Sequence, residues 1–449
     1  MVKQFIKKLS TNLSFVFICT LSIVFVTPTF SASGVEIQKW QTSQGVPVYF
    51  VERPEIPMMD IAVVFSAGSA RDDKNWGLAS FTSTMLDEGT TTKSSIDIAR
   101  EFDQVGAQMS AGADRDMTMV SLRSLTDSVY FTPAFHLFLD VLTNPCFPSS
   151  SFVRVQNQTL DVIRQNRQDP SNVAQETFFK NLYSDQPYGH PILGTEETVK
   201  AIPLAALKEF YKKYYVRGNA LVVLVGAFNS KQAHDVGEKI ASSLHAGKAA
   251  PLLPMAQQQE KGKNIFVTMP VTQNTVMMGN VAISRNDPNY FNLLVANHVL
   301  GGLPMTSLLF NEVRNKEGLA YAVYSGFAPL QAKGPFVVML QTRATKTAQA
   351  IHIARTTVKK YLNRGPTREE LQDAKLNLVG GFPLKVASNH GVLTNVINIA
   401  FYQLPLNYLQ TYTTNVSKVT ARSAKKAFDH VVQLSRFNTI EVGAQQGHG

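Results

Sequence analysis

The chain has 449 residues, of which 44% are hydrophobic and 17% are charged, and its formal net charge is +10 at pH 7. This length exceeds that of one typical domain and suits two, and the composition is that of a soluble globular protein with large cores. A basic surface could attract acidic peptides or anionic lipid headgroups, but no run of Lys and Arg is dense enough to predict nucleic-acid binding.

The N-terminal residues 1–31 have the pattern of a secretory signal peptide. Three lysines precede the apolar run Leu13–Val26, which is shorter than the about 20 residues of a membrane-spanning helix. We therefore expect cleavage near Ser31 or Ser33 rather than an uncleaved anchor, and an exported, periplasmic protein with a net charge of 10 − 3 = +7. Because Cys19 lies in the signal, only Cys146 remains, and no intrachain disulfide is possible.

Apolar periodicity predicts a mixed series of strands and helices in the first half. The strands are expected at Val48–Val51, Asp60–Phe65, Met117–Leu125 and Ala220–Gly226. The helices are expected at 77–86, Ile98–Val105, Phe131–Leu142, Phe152–Asn166 and Leu204–Tyr214.

The helix at 77–86 lies in the segment GSARDDKNWGLASFTSTMLDEGT, which resembles the zinc-binding segment of the pitrilysin/insulinase family, zinc peptidases that include mitochondrial processing peptidase. In that family the helix carries His-x-x-Glu-His, whose imidazoles bind zinc while the Glu acts as a base. These positions hold Ser80, Ser83 and Thr84 here, and the third ligand, a Glu in the family, aligns with Val162. A one-residue shift would place Asp161 there, but one carboxylate does not make a zinc site. The resemblance therefore implies a degenerate metal site and no zinc in this chain.

The histidines of the chain offer no substitute metal site. No two of the nine are spaced at i, i+3 or i+4. The pair His234 and Glu238 has helical spacing, but a solvated helix face explains it better. His190 belongs to a loop, PYGHPILGT, that is widespread in the same family, and we expect it to be structural. Cys146, between Pro145 and Phe147, is expected to be a small buried hydrophobic residue.

Residues 249–263, which hold two prolines and three glutamines, are predicted to link a domain at 34–248 to a domain at 264–449. Pro148 and Pro366 each precede a helix and are 366 − 148 = 218 positions apart, which indicates an internal duplication. We predict an α+β fold with two similar domains, each a β-sheet packed with helices, and the resemblance implies that they face each other as a clamshell. The second-half strands are expected at Asn264–Met269, Val276–Val281, Phe336–Thr342 and Thr439–Val442, and the helices at Tyr290–Leu300, Gln349–Leu362, Leu406–Ser417 and Ala421–Val431.

The stretch FNEVRNKEGLAYAVYS predicts a helix, an αL turn near Gly318 and a strand over Leu319–Val323. Arg314 and Tyr321 flank this turn, seven positions apart, and could face a peptide carbonyl or a developing oxyanion together. A surface arginine and a packed tyrosine would also fit the spacing. The stretch resembles the second-domain signature of the same family, in which an Arg and a Tyr at these positions bind substrate and stabilise the transition state opposite the metal.

Some members of this family are heterodimers in which one subunit carries the zinc motif and the other the Arg/Tyr pair. The resemblance thus implies a non-catalytic subunit, inactive alone, that supplies Arg314 and Tyr321 in trans to a homologous zinc-bearing partner. The substrates would be oligopeptides or unfolded segments. The alternative is a metal-free scaffold or peptide-binding protein of the same fold, as degenerate members are in a respiratory complex. A peptidase with unrelated catalytic residues has no motif such as Gly-x-Ser-x-Gly to support it.

Overall fold

The computed structural model describes residues 34–303 and 305–445, so the predicted signal peptide at 1–31 lies outside the described part of the chain. No helix in that part is long and apolar enough to cross a membrane. Its strands are β1 (Gln38–Gln41), β2 (Pro47–Glu52), β3 (Met58–Phe65), β4 (Gln108–Ala113), β5 (Thr118–Leu125), β6 (Ala220–Gly226), β7 (Asn264–Thr268), β8 (Gln273–Ile283), β9 (Ala320–Phe327), β10 (Gly334–Arg343) and β11 (Asn438–Gly443). Its α-helices are α1 (Leu78–Thr84), α2 (Ser95–Gln104), α3 (Ser128–Thr143), α4 (Ser149–Asn166), α5 (Pro170–Tyr183), α6 (Glu196–Ala201), α7 (Leu204–Tyr214), α8 (Ser230–Ser243), α9 (Tyr290–Asn297), α10 (Thr347–Arg364), α11 (Arg368–Lys385), α12 (Asn389–Phe401), α13 (Tyr408–Lys418) and α14 (Ala421–Val431).

The strands form two sheets with the same topology. The first has the order β1-β2-β6-β3-β5-β4, and the second has the order β7-β11-β8-β10-β9. In each sheet one parallel pair, β2 with β6 or β7 with β11, is followed by antiparallel pairs. Apart from β1, every strand of the first sheet thus has a counterpart in the second. The predicted α+β fold with two similar, facing domains is confirmed.

Each sheet is covered on one face by a helix from the other half of the chain. α12 packs on β3 and β6 of the first sheet, and α5 packs on β8 and β11 of the second. Val392 and Val396 of α12 are buried in the same core as Val64 and Val225 of the first sheet. Burying an aliphatic side chain of this size contributes about 1.5–3 kcal/mol. Each half therefore depends on the other for the completion of its core.

A buried carboxylate also joins the two halves. Asp116, which lies just before β5, is only 1% exposed. Its Oδ2 accepts hydrogen bonds from the Tyr402 hydroxyl at 2.9 Å and from the backbone N–H of Gln331 at 2.8 Å. Its Oδ1 accepts a hydrogen bond from the Tyr188 hydroxyl. Two of these donors come from the second half, so the carboxylate can be satisfied only when the halves are packed together.

The structure contains elements that the apolar pattern did not predict. They include the short strands β1 and β4 and the helices α5 and α6. β4 has the sequence QMSAGA, which is poor in β-branched and aromatic residues, and its pairing with β5 overrides that weak propensity. The predicted helix at Tyr290–Leu300 is α-helical only to Asn297 and continues as a π-helical segment, His298–Gly302.

Candidate functional site

The positions that the resemblance predicts to be a degenerate metal site lie on α1 and α4, which contact each other. α1 begins where the buried carboxylate of Asp72 accepts hydrogen bonds from the backbone N–H groups of Gly77 and Ala79, both at 2.8 Å. Phe81 of α1 stacks on Phe152 of α4, with ring centroids 5.0 Å apart. The chain therefore keeps the helix pair on which the family's zinc ligands would lie.

The side chains at those positions do not fit a zinc ion. Ser83 Oγ and Thr84 Oγ1 donate hydrogen bonds to the backbone carbonyl of Ser80, at 2.7 and 3.0 Å. Val162 is apolar and 43% exposed. Zinc sites in proteins are built from imidazole, thiolate and carboxylate groups, and these positions offer none. No three His, Cys, Asp or Glu side chains lie close enough to hold a metal ion within residues 34–303 and 305–445.

The neighbouring candidates have structural partners. Asp161 forms an exposed ion pair with Arg164 at 2.9 Å. His190 is buried, and its Nε2 lies 2.9 Å from the carbonyl oxygen of Ser69 and 3.3 Å from Oδ2 of Asp72. Burial raises the pKa of the Asp72 carboxyl above its usual value, while the hydrogen bond with His190 acts against that rise. His190 thus supports the turn that begins α1.

The remaining candidates do not form a site either. The ring of His234 stacks on that of Trp40 at 3.9 Å, and Glu238 accepts hydrogen bonds from Ser43 rather than from His234. Cys146 is a free cysteine and only partly buried, so it is less enclosed than the sequence predicted.

The structure brings Arg314 and Tyr321 together. Arg314 lies on a π-helical segment, Phe310–Lys316, and Tyr321 lies on β9, an edge strand of the second sheet. Gly318 has a φ of +61°, as the predicted αL turn requires, and its N–H donates to the carbonyl of Arg314 at 3.0 Å. The guanidinium carbon of Arg314 is 5.3 Å from the centroid of the Tyr321 ring.

A β-bulge turns Tyr321 toward solvent. Ala320 pairs with Thr342 and Ala322 pairs with Gln341, so Tyr321 is the extra residue of β9. Strict alternation would place Tyr321 on the same face as the buried Val323. The bulge breaks that alternation, and Tyr321 is 74% exposed. β-Bulges and π-helical turns are both frequent at functional sites, and here each carries one residue of the pair.

The charge of Arg314 has no carboxylate partner among the described residues. Glu312, on the same segment, pairs with Lys316 at 2.6 Å. The guanidinium lies instead over the rings of Phe310, at 4.7 Å, and Tyr321. Its N–H donors therefore remain available to a carbonyl or carboxylate. The sequence pattern did not single out Phe310, although its i, i+4 spacing from Arg314 was a usable signal.

Comparison with known proteins identifies the family to which both halves of the chain are similar. Residues 48–196 match the family described as "Insulinase (Peptidase family M16)", and residues 201–378 match the "Peptidase M16 inactive domain". The "Non-peptidase homolog YmxG" of Helicobacter pylori is 27% identical over 88% of this chain and 90% of its own. The "Uncharacterized zinc protease YmxG" of Bacillus subtilis is 25% identical over 80% of this chain and 86% of its own.

A crystal structure of a peptidase M16 inactive domain from Pseudomonas fluorescens superimposes with a TM-score of 0.88. It is 35% identical and covers 91% of this chain and 99% of its own. Both halves of the sequence and the whole described fold thus point to the same family. The chain belongs to the M16 (insulinase) peptidase family.

Proposed function

We propose that this chain is the non-catalytic subunit of an exported, heterodimeric zinc metallopeptidase. In this proposal a homologous partner holds the zinc, its bound water and the base, and this chain supplies Arg314 and Tyr321 in trans. The observation that carries the proposal is the pairing of an exposed phenol with a guanidinium that has no carboxylate partner among the described residues. Both residues lie on irregular backbone, in a chain whose α1 and α4 hold no zinc ligands.

The two side chains would have different tasks. Arg314 would donate hydrogen bonds to a carbonyl or terminal carboxylate of the bound peptide and so fix its position. The Tyr321 hydroxyl would donate to the oxygen that becomes negatively charged when the partner's water attacks the scissile carbonyl. A donor of this kind contributes about 10²–10³ in rate, because it is already in place when the charge develops.

The edge strand suggests how the substrate would be held. Within residues 34–303 and 305–445, β9 pairs only with β10, so the backbone groups on its outer edge can bind an extended peptide as an additional strand. Oligopeptides or unfolded segments that fit between two subunits would be the substrates. No nucleic acid is expected as a partner, and the mature chain is expected in the periplasm after loss of residues 1–31.

The test is reconstitution with a family member that carries an intact His-x-x-Glu-His. Hydrolysis of a quenched-fluorescent oligopeptide should require both chains, with zinc found in the partner. Arg314→Ala and Tyr321→Phe should each lower the activity of the mixture about 100-fold. The control is Tyr130→Phe, which removes a hydroxyl from a 40% exposed side chain on α3.

Two results would contradict the proposal. Chelator-sensitive hydrolysis by this chain alone would show that it has its own metal site. A zinc-bearing partner that is fully active alone and gains nothing from this chain would favour the alternative, a metal-free scaffold or peptide-binding protein.

A further inference from the structure

We infer that Phe310 is a positioning residue that holds the guanidinium of Arg314 over Tyr321. This inference rests on the proposed function, in which Arg314 and Tyr321 act together. The guanidinium carbon lies 4.7 Å from the Phe310 ring centroid and 5.3 Å from that of Tyr321. Both distances are within the about 6 Å over which an aromatic face attracts a cation. Two aromatic rings therefore define the place of this charge.

The local backbone explains this contact. Phe310 and Arg314 are four positions apart on one π-helical segment, and a long helical side chain leans toward the preceding turn. Arg314 is thereby directed over the ring of Phe310. Glu312 could compete for the guanidinium, but it is paired with Lys316 at 2.6 Å. The two cations of the segment therefore have different partners: Lys316 pairs with a carboxylate, and Arg314 lies over aromatic rings.

An aromatic neighbour suits an arginine that must bind a substrate. A carboxylate would accept hydrogen bonds from the guanidinium and would compete with the peptide for the same donors. An aromatic ring attracts the positive charge through its π face. It forms no hydrogen bonds with the N–H groups, which point outward in the plane of the guanidinium. Phe310 can therefore restrict the position of Arg314 and leave its donors free.

The contact can be measured first in this chain alone. In protein labelled with ¹⁵N-arginine, the Nε–Hε signal of Arg314, assigned with Arg314→Lys, should show a ring-current shift. Phe310→Leu, which keeps an apolar side chain but removes the ring, should move the signal toward that of a free arginine. Phe310→Tyr, which restores a ring, should return it. If the chemical shift of the Arg314 signal is unchanged in the Phe310→Leu variant, the inference is wrong.

A double-mutant cycle in the reconstituted peptidase tests the consequence. Phe310→Leu should lower kcat/KM about two- to fivefold, the effect of one lost cation–π contact, and Phe310→Tyr should restore it. In an Arg314→Ala background, Phe310→Leu should have no further effect. The control is Phe266→Leu on β7, an exposed phenylalanine at the opposite edge of the sheet.

The outcomes separate the two ideas. If Arg314→Ala leaves the activity of the mixture unchanged, the proposed function is wrong, whatever the arginine signal shows. If Arg314→Ala lowers activity but Phe310→Leu has the same effect with and without Arg314, the positioning role is wrong and the proposed function stands. Circular dichroism of each variant shows whether it is folded. If the Phe310→Leu variant is not folded, the Phe310→Tyr variant is used for the test.

Discussion

Replacing Tyr402 with phenylalanine would remove one hydroxyl from the buried junction between the halves. That hydroxyl donates to Oδ2 of Asp116 at 2.9 Å, and the two residues are 286 positions apart in the chain. The ring remains, so no cavity is created. The same carboxylate keeps its bonds from the Gln331 N–H and the Tyr188 hydroxyl. The substitution therefore isolates one hydrogen bond that connects the two halves.

The expected cost follows from the burial of Asp116, which is 1% exposed. A hydrogen bond to a charged group contributes about 1.5–3 kcal/mol, and water cannot easily replace the lost donor at a buried carboxylate. We expect Tyr402→Phe to lower the free energy of unfolding by about this amount, 1.5–3 kcal/mol, at pH 8.

The cost should depend on pH. Burial raises the pKa of the Asp116 carboxyl above its usual value, although hydrogen bonds from Tyr188, the Gln331 N–H and Tyr402 act in the opposite direction. A raised folded-state pKa contributes stability that is fully present below the unfolded pKa of about 3.9 and is lost as the pH rises through the folded value. The Tyr402 hydroxyl stabilises the charged form, so its loss should cost less at about pH 4, close to the unfolded pKa, than at pH 8.

Urea unfolding at both pH values would measure this effect. Both tryptophans, Trp40 and Trp76, lie in the first half, so fluorescence reports on that half while circular dichroism reports on both. Because α5 of the first half packs on the second sheet and α12 of the second half packs on the first sheet, the two halves should unfold together. The fluorescence and circular dichroism signals should therefore give one coincident transition. Tyr130→Phe is the matched control. A loss below about 0.5 kcal/mol at pH 8, or an equal loss at both pH values, would refute the reasoning, because a buried charged hydrogen bond should contribute more.

Two further variants test the local structure around Arg314 and Tyr321 and around the predicted metal positions. Gly318→Ala should lower the free energy of unfolding, measured with urea, by about 1–2 kcal/mol. The cost comes from the backbone, because Gly318 has a φ of +61° and no atom lies within 4 Å of the position that a Cβ would occupy. The control is Gly326→Ala, at a strand glycine that is equally open but has no positive φ. A variant with the family's zinc ligands and base should bind one zinc ion, because α1 and α4 still contact each other. Metal analysis after dialysis should find this zinc in the variant and none in the parent chain. Failure of the variant to bind zinc would mean that the spacing of the two helices differs from that in the family. That variant combines four substitutions: Ser80→His, Ser83→Glu, Thr84→His and Val162→Glu.

Features that depend on neighbours along the chain could be predicted from the amino-acid sequence. The resemblance of the segment around helix 77–86 to the family's zinc-binding segment implies that Ser80, Ser83 and Thr84 replace the metal motif, and this prediction needs only residues that are close neighbours along the chain. The αL turn at Gly318 follows from the residue itself, since only glycine adopts that conformation without strain. Strongly periodic segments such as α7 and β6 were predicted with the bounds that the structure shows.

Features that join distant segments of the chain could be recognised only in the folded structure. The packing of α5 and α12 on the sheet of the opposite half could not be predicted, because the sequence of an amphipathic helix does not specify which sheet will cover its apolar face. The bulge at Tyr321 depends on the register between β9 and β10, and the partners of Asp116 come from up to 286 positions away. Local propensity carries no information about such pairings, because their energy is gained only after the two halves have packed together.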